Sequence, residues 1–234
     1  MIQVNHHTLP NGLRIVHNED NSTQMVALNL LYDVGARDED PEHTGFAHLF
    51  EHLMFGGSVN IPDYDAPVQN AGGENNAWTN NDITNYYITL PYQNVETGFW
   101  LESDRMLSLD FSPQSLEVQR QVVIEEFKQR NLNQPYGDAS HLLREMAYQN
   151  HPYRWPTIGK EISHIANAAL DEVLRTFSIV SMLLTMRFWQ LQVIFHLKKL
   201  SVWLRNGSVR YLHAIYPNVN CRQKSLRQRY ADAA

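Results

Sequence analysis

The chain has 234 residues, with 25 acidic and 19 basic side chains, 11 histidines, one cysteine and a formal net charge of −6. That length allows one or two domains with a sizeable core, and a single cysteine excludes an internal disulfide. The start, Met1-Ile2-Gln3-Val4-Asn5-His6, lacks a signal peptide's basic-then-apolar pattern, so the sequence reads as cytoplasmic, with a secreted or periplasmic location left open.

In chain order, Asn11-Gly12 between Val4–Leu9 and Leu13–His17 predicts a hairpin, with His6 and His7 as surface residues, and Met25–Val34 predicts a longer strand. Next comes a helix over Gly45–Phe55, with Thr44 as its expected cap and Gly56-Gly57 as its stop. This helix carries His48-Leu49-Phe50-Glu51-His52. At about 100° per residue, Glu51 lies about 60° to one side of His48 and His52 about 40° to the other. Two imidazoles one turn apart can reach one Zn²⁺, and the carboxylate beside them can take a proton from water activated by that metal. A glutamate between two histidines on an otherwise apolar helix is also expensive to bury without a metal. The order H-x-x-E-H is the inverzincin signature.

Trp78–Leu90 reads as one or two further strands, and Val95–Leu109, Ser112–Asn131, Asp138–Asn150 and the stretch near Ala168–Phe177 carry helical apolar spacing. Strands first and helices afterwards predict an α+β fold with helices packed on an antiparallel sheet. Ser112-Pro113 has the form of an N-cap followed by the first helical residue. In the helix it opens, positions 116, 119, 122, 123 and 126 form one stripe, so Glu126 shares a face with Leu116, Val122 and Val123 while Glu125 projects towards Gln121 and Gln129. A carboxylate on an apolar stripe wants a counter-charge, which a zinc ion would supply. The competing reading is a surface Glu-Glu pair.

HLFEH followed about seventy residues later by RQVVIEE resembles the pitrilysin and insulinase family of zinc metallopeptidases, which includes mitochondrial processing peptidase. The resemblance implies zinc held by His48, His52 and Glu126, with Glu51 as the general base. Gly72-Gly73-Glu74-Asn75-Asn76-Ala77-Trp78-Thr79 is similar to the family's GG-x-x-NA-x-T strand, which implies that Asn76 and Ala77 bind an extended peptide substrate. By itself the same segment is an ordinary strand rich in Asn and Thr. Seven residues before Glu126 the family often has a supporting glutamate, where this chain has Gln119. The resemblance further implies a second homologous peptidase half, which this chain lacks. It leaves two alternatives: an inactive zinc-binding fragment, or a non-catalytic partner subunit of a two-part peptidase.

The chain changes character after Phe177. From Ser178 on there are nine basic residues and one acidic, leaving ten basic and 24 acidic before it, so the formal charge swings from −14 to +8. Such a tail suggests a nucleic acid or a membrane surface, and Ile179–Phe195 has the apolar character of a surface helix. Another explanation fits better. The family resemblance implies a continuation of the type YYAPNNAVLVVVGDI. When each codon is rebuilt from the last base of one residue and the first two of the next, Ser178–Lys199 can read YRFYAPNNAVLAVTGNISPEK. The sequence is therefore expected to consist of a zinc peptidase domain over 1–177, incomplete at its C-terminal end, and an out-of-frame tail over 178–234 with no fold of its own. That reading leaves neither nucleic acid nor membrane as a partner.

Overall fold

Alternating burial along Met25–Tyr32 (β3) and a largely buried run along Thr84–Pro91 (β5) set the centre of a sheet, in which the two strands pair antiparallel from Met25 against Pro91 to Tyr32 against Thr84. Val4–Thr8 (β1) and Arg14–Asn18 (β2) form the expected hairpin, with His6 exposed and His7 half-buried. Glu74–Thr79 (β4) pairs antiparallel with β5, so the predicted Trp78–Leu90 run is two strands, the first beginning four residues earlier. The computed structural model describes residues 4–8, 13–106 and 109–173, together with the backbone of 107 and of 187–192. The expected boundary at 177 and the tail beyond it lie outside the described residues, apart from Arg187–Gln192 (β6).

β6 falls within the stretch read from the sequence as an out-of-frame tail. A missing tail strand would leave a slot in the sheet, but the observed order is β1-β2-β6-β3-β5-β4. β6 fills the slot, running parallel to β2 and antiparallel to β3. A ladder uses backbone N–H and C=O groups that every non-proline residue carries, so a segment without strand patterning can still occupy it. The other pairings are antiparallel, as expected for the α+β class.

The named α-helices among the described residues are Phe46–Phe55 (α1), Asp65–Asn70 (α2), Val95–Leu107 (α3), Pro113–Phe127 (α4), Ala139–Ala147 (α5) and Ile162–Ala166 (α6), and residues 170–173 are also helical. Helix α3 packs on β3 and β5, while α1 packs on α4 and on β4. The core around α1 joins Phe46, Leu49 and Leu53 to Leu116, Val123 and Phe127 of α4 and to Ile158 and Ile165. Ser112 caps α4 as predicted, its hydroxyl accepting from Ser115 N at 3.1 Å. The predicted stripe of α4 is only partly buried. Leu116 and Val123 face the core, whereas Val122 is 45% exposed and Gln119 and Glu126 lie at the margin. Instead of continuing to Asn131, α4 passes into a π-helical turn over Lys128–Leu132. Among the described residues no helix is long and apolar enough to cross a membrane.

Candidate metal centre

Thr44 does not cap α1. The cap position belongs to Gly45, at φ +86°, where an added Cβ would come within 2.9 Å of Ile158 O and 2.7 Å of Ile165 Cδ1. Thr44 instead ties α1 to later chain, its hydroxyl accepting from Lys160 N at 2.8 Å and lying 2.9 Å from His164 Nδ1. The first turn is served by Glu39. Its carboxylate oxygens accept from Gly45 N at 3.0 Å and Ala47 N at 2.8 Å, an acceptor set against the positive end of the helix. Trp155 Nε1 donates to the same group at 3.1 Å. Burial pushes the Glu39 carboxyl up to about 8, with these three N–H groups opposing the rise. No local motif signals this cap, because Glu39 lies six residues before the cap position.

At the other end of α1, Arg105 of α3 is fully buried and donates from Nη1 to Met54 O at 2.8 Å. Its guanidinium lies over the rings of Phe55, Tyr64 and Tyr86 at 5.3, 4.5 and 4.9 Å and pairs with Glu102 at 3.1 Å. Gly57, at φ +109°, then turns the chain away. Both ends of the motif helix are therefore fixed by buried polar side chains that lie outside it.

Between them, His48 Nε2 and His52 Nε2 lie 3.3 Å apart, their rings nearly perpendicular at 89°. Glu126 Oε2 is 3.5 Å from the first and 3.4 Å from the second. Bonds of about 2.0–2.1 Å at tetrahedral angles set donor atoms about 3.3–3.4 Å apart, so these three edges match one face of a tetrahedral zinc site. Glu125, by contrast, points outward to Lys128. Burial, and then the neighbouring His52, lowers His48 to about 4, which leaves the imidazole neutral at neutral pH, the form in which it can bind a metal. Glu126 is held below the usual carboxylate range chiefly by its contact with His52.

Glu51 faces the same cavity, which has a volume of about 540 Å³. Burial raises its carboxyl above the ordinary value, and the Thr79 hydroxyl, donating to Oε2 at 2.5 Å, pulls it back. Asn76, Ala77 and Gln119 also line the cavity. The structure thus brings every site residue named from the sequence to one place. It adds Thr79, which lay inside the quoted strand motif without a role, and Arg130, whose Nη2 is 2.7 Å from Glu126 Oε1. Arg130 stands four residues after Glu126, and that spacing was the available signal.

Residues 14–161 match the insulinase family, peptidase family M16. The chain belongs to that family. It is 35% identical over 175 residues to the zinc protease PqqE of Helicobacter pylori, covering 74% of this chain and 39% of that protein. A protease from Helicobacter pylori has the same fold in its crystal structure, with a TM-score of 0.83 and 29% identity over 88% of this chain and 50% of its own. An M16-like peptidase from Alicyclobacillus acidocaldarius shares the fold at a TM-score of 0.79, covering 89% of this chain and 50% of its own, at 18% identity. The chain spans about two-fifths of the length of PqqE and half the length of these two structures.

Proposed function

We propose that this chain is the metal-bearing part of a zinc-dependent endopeptidase, with His48, His52 and Glu126 as ligands and Glu51 as general base. The observation that carries the reading is the set of three donor separations, 3.3, 3.4 and 3.5 Å, on two helices far apart in sequence. Zinc in this position would polarise both a scissile carbonyl and an attacking water. Glu51 takes a proton from that water as its oxygen bonds to the carbonyl carbon, then delivers the proton to the amide nitrogen as the C–N bond breaks. Its raised carboxyl suits both tasks, since a base poised nearer neutrality also returns the proton readily.

The peptide lies along β4, the last strand in the sheet order, whose outer side is open to one more strand among the described residues. Asn76 and Ala77 line the cavity there, and Asn76 Oδ1 accepts from Ala77 N at 2.8 Å, a bond an incoming carbonyl would replace. Gln119, on the cavity wall, supports the ligands as an uncharged hydrogen-bonding group. A second homologous half completes the enzyme. The chain covers only 39% of PqqE, and this favours a second reading for the isolated chain, a zinc-binding fragment without turnover.

The test is metal analysis of the purified chain. About one zinc is expected in the wild type and in Glu51→Gln, and little in His48→Ala or Glu126→Gln. Equal zinc in all four, or loss in Glu125→Gln instead, would overturn the ligand set. In a protein carrying both halves, Glu51→Gln should keep its zinc and lose peptidase activity by several orders of magnitude.

A further inference from the structure

Glu126 has two carboxylate oxygens, and the structure gives them different neighbours. Oε2 faces the two imidazoles, whereas Oε1 faces Nη2 of Arg130 at 2.7 Å. An unrestrained carboxylate can turn to offer one oxygen or both, or swing away. One held from behind by a guanidinium cannot do so freely.

Arg130 reaches this point from unusual backbone. The π-helical turn at 128–132 is closed by Asn133 N donating to Lys128 O at 2.8 Å. Two side-chain amides brace it, with Asn131 Nδ2 donating to Phe127 O at 3.0 Å and Gln134 Nε2 donating to Arg130 O. Single π turns are uncommon and recur beside functional sites. The Arg130 side chain lines the cavity and is 67% exposed, so the ion pair itself adds little to stability. Its cost in side-chain order is better explained by the geometry it imposes on Glu126.

We propose that Arg130 is a positioning residue that holds Glu126 in one-oxygen ligation of the metal. This rests on the ligand set of the preceding reading.

The experiment compares the full chain with Arg130→Ala and Arg130→Lys. Zinc affinity is measured by competition with a chromophoric chelator, melting temperature on the metal-free proteins, and the visible spectrum on the cobalt(II) forms. Arg130→Ala should bind zinc about 10- to 100-fold more weakly with its metal-free melting unchanged. Its cobalt bands should be weaker, as expected when a second carboxylate oxygen raises the coordination number. Arg130→Lys, a point charge without the fork, should recover part of the affinity. Zinc affinity and cobalt spectra in Arg130→Ala equal to wild type would overturn the proposal, as would a loss explained by a lower metal-free melting temperature. Failure of the wild-type chain to bind zinc would instead defeat the ligand assignment itself.

Discussion

Thr79 donates to Glu51 across the gap between β4 and α1, so the strand proposed to hold the peptide also sets the charge of the proposed base. Burial favours the neutral carboxyl, and the hydroxyl favours the carboxylate. Thr79→Val keeps the shape and removes the donor, which should move Glu51 to still higher pH. A base with a raised pKa loses its charge sooner as pH falls, so the acid limb of hydrolysis in a two-half enzyme should shift upward as well. Carboxyl titration of the chain by carbon-13 NMR checks this without turnover. An unchanged or lowered Glu51 midpoint would show that Thr79 does not tune it.

Helix α1 depends on contacts at both ends that its own residues do not announce. Arg105 and Glu102 are both fully buried, so removing one partner leaves an uncompensated charge in the interior. Arg105→Met should therefore cost about 3–5 kcal/mol, whereas the double variant with Glu102→Met should recover most of it. Urea unfolding of the wild type, Arg105→Met, Glu102→Met and the double variant measures the cycle, and equal losses in Arg105→Met and the double variant would assign the cost to the lost Met54 contact. The same contrast marks what was legible in the sequence. His48, Glu51 and His52 declare themselves through helical period, and Ser112-Pro113 declares α4, because both signals lie within one or two turns. Glu126 was separable from Glu125 by its face, although Val122, assigned to the same stripe, proves exposed. The Arg105 anchor and the Thr79 hydrogen bond arise only when distant segments meet, and the Glu39 cap reaches the helix from six residues before it; no spacing rule encodes any of them. Thr44 misled for the same reason. It is a good cap residue by type, but its hydroxyl was taken by Lys160 and the neighbouring His164.

At the scale of the whole molecule, the acidic first part and the basic remainder meet in one sheet through β6. We infer that the chain from Ser178 on is an out-of-frame product, in which case the β6 ladder rests on backbone hydrogen bonds without a side-chain pattern selected for the slot. Its amides should then exchange with solvent faster than those of β3 and β5. Hydrogen exchange resolved by residue tests this, and protection of β6 equal to that of β3 would count against the inference, as would a nucleotide sequence across Thr176–Ile179 with no second frame. β6 also bears on folding order. Among the described residues β2 and β3 follow one another in sequence but do not pair, and only β6 joins the hairpin to the rest of the sheet. Arg14 must wait for Phe188 and Tyr32 for Arg187, closures that span most of the chain. On a ribosome, the hairpin made first would be the last piece seated, its apolar face uncovered through nearly all of synthesis. For this fold, the keystone arrives late, and the interval before it arrives is when the nascent chain most needs a chaperone.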